Sequence, residues 1–487
     1  MLFSSMTFIF VFLPILFVLY FITKKELHNS ILLIASIIFY AWGEPKYLAI
    51  MLFTILINYV GAILIERSAC RTNEEHNSSL AINIRRLFTP KFILILTIIL
   101  NLSFLVYFKY FDFLIANFNN MFHLHINALN IIMPIGISFY TFQAMSYLID
   151  VYRGEVKAQK DLYKIALYIC LFPQLVAGPI VKYHDVEEQL TSREINFENV
   201  NIGIKRFIIG LSKKVLIANT MGAIADKIFT QAPDAFGHGI AWLGAVAYTF
   251  QIYFDFSGYS DMAIGLGLIF GFKFMENFNY PYISKSITEF WRRWHISLST
   301  WFKQYVYISL GGNRHGLFKT CKNLGIVFLL TGIWHGAAWN FIFWGIWHGF
   351  FIILEKILNI KEFEKQKHSV WVEILRHIGC ILLFVIGWVL FRSDSLHYAL
   401  SYIGNMFGFI GVKVGVPTYK LSYYVDTIEV ITFIAAILCS IPIFKNMIYI
   451  KNQLAKAFIN IWLLLLFLLS TSSIAAGTYN PFIYFRF

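Results

Sequence analysis

The sequence predicts an all-α polytopic membrane protein, and two observations carry that prediction. Hydrophobic residues make up 58% of the 487 residues and charged residues only 14%, against about 25% charged residues in a typical soluble domain. So few charges cannot cover the surface of a soluble protein, and so hydrophobic a chain is not intrinsically disordered. The apolar residues also fall in runs close to the ~20 residues that a membrane-crossing helix requires.

Charge and cysteine content narrow the functional classes. The formal net charge is +13. In a membrane protein, Lys and Arg residues in cytoplasmic loops explain this better than a nucleic-acid partner does, so no nucleic acid is expected. The five cysteines form no C-x-x-C pair and therefore suggest neither a zinc site nor a disulfide framework. The aromatic content of 18% exceeds what interfacial belts need, so many rings should pack between helices or line a cavity.

The N-terminal third predicts three spans: Ser5–Ile22, Ile31–Trp42 and Tyr47–Ile65. The first run has no basic segment before it and no small-residue cleavage site, so we expect a retained span and not a signal peptide. Basic residues occupy the loop after the first span and the long loop after the third. The positive-inside rule makes both loops cytoplasmic and places the N-terminus outside the cell membrane.

The positive-inside rule also predicts the orientation of the C-terminal region. Ile428–Phe444 is a predicted span, and the next loop carries three lysines and no acid, which makes that loop cytoplasmic. Ala457–Ala476 then crosses outward. Residues 477–487 are therefore expected to form an extracytoplasmic tail.

The middle of the chain is less regular. Lys273–Lys322 contains eight basic and two acidic residues and should face the cytoplasm. Within it, Thr288–Tyr305 is amphipathic at helical spacing, which fits a helix lying in the interface or re-entering the membrane. The pattern does not fix the number of spans between residues 203 and 422. Because no linker or soluble segment interrupts the chain, residues 1–487 are expected to form one transmembrane domain.

Ionisable residues stand out inside the apolar runs. The stretch Gly325–Ile357 contains Trp-His-Gly twice, with His335 near the middle of the predicted membrane thickness. Such a residue is a functional candidate, although a neutral histidine hydrogen-bonded between helices would look the same. His348 lies 13 residues further on, which on one continuous helix places it on a different face.

Two carboxylates lie in the apolar run Tyr248–Phe272. Asp255 and Asp261 should pair with cations or cap helix ends, and a structural role is the simpler expectation. His295, His335 and His348 lack metal-ligand spacing, so no metal site is predicted. The sequence also contains neither a Walker motif nor a G-x-S-x-G elbow.

Several long blocks resemble one family. They are YFDFSGYSDMAIGLG, NFNYPYISKSITEFWRRWHISLSTWFKQYVYISLGGNR and TGIWHGAAWNFIFWGIWHG, with SFYTFQAMSYLIDVYRG and FPQLVAGPI before them. These blocks are similar to the membrane-bound O-acyltransferases. They resemble in particular the bacterial branch that contains the alginate O-acetylation membrane protein and the peptidoglycan O-acetyltransferase, with the teichoic-acid D-alanyl transfer protein as a relative.

The resemblance implies a helical fold with a tunnel across the bilayer, and it implies roles for two histidines. His335 matches the catalytic histidine of the family, and His295 matches a second position that is catalytic or only positioning. His348 is secondary. An imidazole, with an ordinary pKa of ~6.5, suits the removal of a hydroxyl proton at neutral pH. The basic residues Arg292, Arg293 and Arg314 fit orientation or lipid contact better than a phosphate site.

The last residues contain the pattern Phe482-x-Tyr484-Phe485. It resembles the C-terminus of the small partner peptide of teichoic-acid D-alanylation, whose tyrosine takes the acyl group. The resemblance implies that Tyr484 is an acyl carrier fused to the enzyme. The alternative is an interfacial aromatic anchor.

The sequence thus predicts a membrane O-acetyltransferase. The resemblance implies acetyl-CoA as donor with no bound cofactor, a polysaccharide acceptor, an SGNH-hydrolase-like extracytoplasmic partner and a multi-pass location in a bacterial cell membrane. The acceptor is alginate, peptidoglycan or another envelope polysaccharide. Two alternatives stay open: a proton-coupled transporter, which should show inverted repeats that the sequence lacks, and a lipid or protein acyltransferase of the wider family.

Overall fold

A computed structural model describes residues 1–74, 89–413, 419–445, 447–450, 452–477, 479–481 and 483. Within these residues the chain is helical and has no strand. Six helical segments are long and apolar enough to cross a membrane: Pro45–Cys70, Pro90–Phe122, Phe197–Phe229, Gly316–His335, Val370–Arg392 and Gln453–Ala475. The predicted all-α polytopic membrane fold is confirmed.

The chain divides into two compact units. The first unit comprises Met1–Gly203 and Leu266–Met275, and the second comprises Ile204–Gly265 and Glu276–Phe487. Two helices contribute residues to both units: α10 (Phe197–Ser212) and α12 (His238–Ile269). The expectation of one domain over residues 1–487 stays a prediction.

The first unit contains nine helices within the described residues. They are α1 (Leu13–Ile22), α2 (His28–Gly43), α3 (Leu48–Glu74), α4 (Pro90–Leu105), α5 (Phe111–Phe122), α6 (Ile137–Arg153), α7 (Leu162–Cys170), α8 (Phe172–Leu175) and α9 (Tyr183–Thr191). The three predicted N-terminal spans fall on α1 with the π turn Phe8–Phe12 before it, on α2 and on α3. The buried amides of Asn58 and Asn101 donate to each other at 2.9 and 3.1 Å and join α3 to α4, a common form of polar glue between membrane helices.

The second unit carries the remaining helices. They are α11 (Asn219–Phe229), α13 (Ile287–Arg293), α14 (Ile296–Trp301), α15 (Gly316–His335), α16 (Trp339–Ile357), α17 (Ile360–Glu364), α18 (Val370–Arg392), α19 (Leu396–Met406), α20 (Leu421–Tyr424), α21 (Thr427–Cys439) and α22 (Gln453–Ala475). The π turn Lys213–Ala218 joins α10 to α11. The predicted span Ala457–Ala476 matches α22. The predicted span Ile428–Phe444 is too long, because α21 ends at Cys439.

The expectation of one amphipathic helix over Thr288–Tyr305 is wrong. The segment breaks into α13 and α14 at His295, whose backbone is left-handed with φ 43°. The amphipathic pattern itself is correct, since Phe290 and Trp301 are buried while Arg292 is exposed. Periodicity alone did not reveal the break because the apolar side of both short helices packs inward.

The apolar stretch Gly325–Ile357 is also not one helix. It forms the second half of α15 and then α16, which pack antiparallel as a hairpin. A Cβ added to Gly332 would lie 2.5 Å from the carbonyl oxygen of Phe341, and one added to Gly345 would lie 2.4 Å from that of Phe328. Glycine at these positions therefore lets the two backbones touch, as small residues do between membrane helices.

Gly332→Ala is expected to destabilise the protein by about 1–3 kcal/mol, because the new methyl group meets backbone that cannot move aside. The measurement is the temperature at which the purified protein in detergent loses its monodisperse peak. Gly325→Ala is the matched control on the same helix, since its Cβ would lie 3.7 Å from the Cδ1 of Ile353. Equal melting temperatures for the two variants would contradict this description of the hairpin.

Candidate active site

His335 is the last residue of α15, at the point where the chain turns back into α16. A Cβ on the next residue, Gly336, would lie 2.2 Å from the ring of Phe341, so glycine allows the tight reversal. The side chain of His335 is 7% exposed. The reversal, and not a mid-helix position, is what presents this imidazole to the interior of the second unit.

His335 lines a small pocket, which we call the His335 pocket. Its walls are mainly aromatic, and its volume is about 20 Å³, room for one water molecule or a group of similar size. The His335 ring meets Trp344 and Phe391 edge-on, with centroids 4.9 and 5.1 Å apart. The pocket is lined by Ile252, Asp255, Phe256, Trp294, His335, Trp344, Trp388, Phe391 and Ile483.

His295 lies beside this pocket with one defined tautomer. Its Nδ1 lies 3.1 Å from Oδ1 of Asn277, and the same oxygen accepts from the backbone N–H and the hydroxyl of Ser297. Because that oxygen can only accept, Nδ1 carries the proton and Nε2 holds the lone pair. Among the described residues no hydrogen-bond partner reaches Nε2. Burial lowers the pKa of His295 to about 3, so the ring stays neutral and can accept a proton.

The two predicted histidines are brought near one another but not into contact. The ring of Trp334 stands between them, with centroids 4.9 Å from His335 and 6.3 Å from His295. Phe256, which lines the His335 pocket, packs edge-on against His295 with a centroid distance of 4.5 Å. The left-handed backbone at His295 is the kind of local strain that concentrates at functional sites.

His348 is separate from the pocket. The argument that placed it on another face assumed one continuous helix and is wrong in its premise, since α15 and α16 run in opposite directions. His348 is nevertheless absent from the pocket lining. It is fully buried against Trp291 and Trp344, each with a centroid distance of 5.2 Å.

A larger cavity, which we call the basic cavity, lies toward the N-terminal half of α15. Its volume is about 660 Å³. Cationic side chains outnumber acidic ones in its lining: Arg292, Lys303, Arg314, Lys356 and Lys361 against Glu355 and Glu364. Arg293 points elsewhere and pairs with Glu289 at 2.8 Å. The cavity therefore offers an electropositive surface of the kind that attracts phosphate groups.

One layer of rings separates the basic cavity from the His335 pocket. Trp291 lines the first and Trp344 lines the second, and their centroids are 5.6 Å apart. His348 fills the space beside both. A Cβ on Gly387 would lie 2.6 Å from Nε2 of His348, so a glycine on α18 makes room for this ring.

A third cavity, which we call the polar cavity, lies at the other end of the hairpin. Its volume is about 210 Å³, and Gln251, Asn340, Arg392 and Asp394 contribute polar groups to its lining. Phe391 and Ile483 line both this cavity and the His335 pocket. The three cavities of the second unit thus follow one another along α15 and α16.

The described part of the C-terminal segment lies against these cavities. Tyr479 donates its hydroxyl proton to Asp226, Asn480 accepts from the amide of Asn219 at 3.2 Å, and Ile483 is 7% exposed. Tyr484, Phe482 and Phe485, and with them the Phe-x-Tyr-Phe pattern, lie outside the described residues. Side chains of the second unit thus hold the residues that precede Tyr484 in the sequence.

The two carboxylates of α12 pair with cations, as expected. Asp255 lies 2.7 Å from Nζ of Lys214, and Asp261 accepts from Lys213 at 2.7 Å and from Arg206 at 2.9 Å. Asp255 also lines the His335 pocket, which the pairing rule did not predict.

Sequence reasoning missed Asn277, which fixes the His295 tautomer, and Lys214, which pairs with Asp255. Lys214 carried a usable signal, since it is a cation inside an apolar helix. Asn277 carried none, because its contact with His295 depends on the loop that precedes α13. Within the described ranges, one group of three potential metal ligands lies within 4.8 Å, namely Asp150, Glu155 and His184 of the first unit. This group includes none of His295, His335 and His348.

The chain is similar to known proteins along its whole length. The model of MBOAT, the membrane-bound O-acyltransferase family, matches residues 153–359. The chain is 39% identical over 516 residues to a probable alginate O-acetylase of Pseudomonas putida, covering 100% of both chains. It is 35% identical over 477 residues to a peptidoglycan O-acetyltransferase of Helicobacter pylori, covering 91% of this chain and 87% of that protein. A teichoic acid D-alanyltransferase of Bacillus subtilis is 30% identical over 55% of this chain.

Proposed function

The chain belongs to the membrane-bound O-acyltransferase family, and we propose that it carries an acetyl group from a thioester donor in the basic cavity to Tyr484 and on to an envelope polysaccharide. It is a membrane acyltransferase that O-acetylates polysaccharide, as its relatives are named for doing. The observation that carries the finer proposal is the position of His335. This imidazole lies between a basic cavity on one side and a polar cavity with the C-terminal segment on the other.

The basic cavity is the proposed donor site, with acetyl-CoA as the donor. A coenzyme A thioester carries several phosphate charges, and five cationic side chains line a cavity large enough for such a ligand. The same cationic residues suggest that this side faces the cytoplasm, where the donor is made. The polar cavity would then face outward in a bacterial cell membrane, with both termini extracytoplasmic.

The size of the His335 pocket favours a short acyl group. The pocket of about 20 Å³ bounded by Trp294, Trp344 and Trp388 has no room for a long fatty chain. This supports an acetyltransferase over a lipid acyltransferase of the wider family. The ring layer of Trp291 and Trp344 argues against a continuous transport path and hence against the transporter alternative.

In the proposed reaction, the acetyl group moves from the thioester to Tyr484 and His335 carries the proton. His335 removes the phenolic proton of Tyr484, and the phenolate oxygen attacks the thioester carbonyl. The tetrahedral intermediate collapses, the C–S bond breaks, and the imidazolium returns the proton to the leaving thiolate. Tyrosine suits the task because its pKa of ~10 makes its ester more reactive than that of a sugar hydroxyl.

His295 is proposed to assist as a positioned neutral ring. Its unprotonated Nε2 is held by the contact between Nδ1–H and Asn277, which the structure gives at 3.1 Å. A lone pair in this position accepts a proton or orients one, which fits either the catalytic or the positioning role. The acetyl-tyrosine would deliver its group to alginate, peptidoglycan or another polysaccharide, through an SGNH-hydrolase-like partner outside the membrane.

Labelled acetyl-CoA is expected to leave one acetyl group on the purified protein, measured by intact mass. Tyr484→Phe should abolish this adduct because it removes the nucleophile, and His335→Ala should abolish it because it removes the base. His348→Ala serves as a histidine control in which the adduct still forms, with folding checked by gel filtration. An adduct that survives Tyr484→Phe would overturn the carrier role.

The double variant Arg292→Ala, Arg314→Ala is expected to raise the KM for acetyl-CoA about tenfold or more, with kcat little changed, because charge-assisted contacts to phosphate are lost. The measurement is acetyl loading of the protein at varied donor concentration. Arg293→Ala is the neighbouring control, since Arg293 pairs with Glu289 and lies outside the cavity. Equal KM values for the two would place the donor elsewhere.

Asn277→Leu is expected to lower the rate of acetyl loading about 10–100-fold, less than the ~10²–10⁴-fold that a whole acid–base group contributes. The cause is loss of the acceptor that holds the Nδ1–H tautomer of His295. Single-turnover kinetics measures the effect. Ser297→Ala is the control, because it removes a hydroxyl that bonds to Asn277 and lies only 3.5 Å from Nδ1 of His295, but it leaves the contact between Asn277 and the imidazole in place. If both variants react equally fast, the orientation of His295 does not matter.

A further inference from the structure

The C-terminal segment is bound by a buried ion pair in the centre of the second unit. Nζ of Lys214 lies 2.7 Å from Oδ1 of Asp255, and the two side chains are only 3% and 2% exposed. Charges so deeply buried are costly and persist when their remaining hydrogen-bonding capacity is also used. What uses that capacity here is the backbone of residues 481 and 483.

Both members of the ion pair bind backbone groups of the segment: the cation binds a carbonyl oxygen and the anion binds an N–H group. The Lys214 ammonium donates to the backbone carbonyl of Pro481, and the Asp255 carboxylate accepts from the backbone N–H of Ile483 at 3.1 Å. The third donor of the ammonium goes to Oδ1 of Asn219 at 2.9 Å, and the amide of Asn219 in turn donates to Asn480. The ammonium thus makes an ion pair with Asp255 and donates hydrogen bonds to Asn219 and Pro481, so the C-terminal segment supplies one of its two hydrogen-bond acceptors.

The neighbouring ion pair behaves differently. Lys213 and Arg206 bind Asp261, and Arg206 also binds Glu276, so this cluster is complete without the C-terminal segment in the part of the chain that the structure describes. The Lys214–Asp255 pair therefore differs from this cluster in that it also binds the C-terminal segment. Without Pro481, one donor of a buried cation would face no acceptor, which costs free energy comparable to a lost charged hydrogen bond.

We propose that Lys214, Asp255 and Asn219 form an intramolecular peptide-binding site whose ligand is the chain at Asn480, Pro481 and Ile483. The three are positioning residues, since they act through the segment they hold. Recognition of one carbonyl and one N–H fixes the path of the backbone, and the side chain of Ile483 enters the His335 pocket. In the sequence, Tyr484 follows Ile483 directly. The inference that binding of this segment serves acetyl transfer to Tyr484 rests on the proposed function; the binding itself does not.

Thiol labelling tests the binding without reference to activity. In full-length Ile483→Cys protein in detergent, the new thiol is expected to react slowly with a maleimide because the side chain at position 483 is 7% exposed. Adding Lys214→Met should speed the reaction about tenfold or more, since the loss of charged hydrogen bonds frees the segment. Peptide mass spectrometry separates this site from the five native cysteines.

Lys213→Met is the matched control. It removes the adjacent, half-buried cation of the same π turn, whose ion pair is made to Asp261 and not to the segment, so labelling at position 483 should stay slow. If Lys214→Met does not fold, Asn219→Ala provides the test, because it removes a neutral partner and leaves no lone charge; we expect faster labelling there too. Equal labelling rates in the Lys213 and Lys214 variants, or slow labelling with Asn219→Ala, would overturn the proposal.

A second readout separates this proposal from the proposed function. If Lys214→Met releases the segment and acetyl loading falls as well, the peptide-binding site and the carrier role of Tyr484 are both supported. If the segment is released but Tyr484→Phe still acquires acetyl, the peptide site stands and the carrier role fails. If labelling is unchanged while Tyr484 still carries the acetyl group, the carrier role stands and the peptide site fails.

Discussion

A lysine and an aspartate lie paired among apolar helices, and the need to keep the two side chains together constrains the second unit. Either ion alone would face a large desolvation penalty, so the π turn between α10 and α11 and the centre of α12 must stay together. Gly210 and Gly258 allow this, because a Cβ on either would lie within 2.7 Å of the backbone oxygen of the other. The close helix contact and the ion pair therefore stabilise the same arrangement.

The ring contacts of His335 and His295 are made with aromatic side chains. Trp344 and Phe391 pack edge-on against the His335 imidazole, and Phe256 packs edge-on against His295. For His295, burial among such rings lowers the pKa to about 3, so this imidazole stays neutral. The nearest carboxylate in the pocket lining, Asp255, is already committed to Lys214 and to the N–H of Ile483.

The sequence predicted the helices well wherever apolar length alone decided the outcome. The spans on α3 and α22 follow from that property. The pairing of Asp255 and Asp261 was predictable as well, because unpaired charges in apolar runs are too costly. The breaks at His295 and His335 were not predictable, since each depends on a tertiary contact: Asn277 for the first and the ring of Phe341 for the second. Family resemblance identified both histidines as candidates. Which nitrogen of His295 can accept a proton follows only from its contact with Asn277 in the folded chain.

The ring layer formed by Trp291, Trp344 and His348 has a consequence for the cell. A protein with cavities at both ends of a membrane-spanning hairpin would leak protons and ions if a water-filled path joined them. Rings with centroids 5.6 Å apart lie on one side of a pocket of about 20 Å³, and Phe391 and Ile483 lie on the other, so side chains narrow the path between the two larger cavities. The packing around His335 therefore limits how much water and how many ions could pass between them.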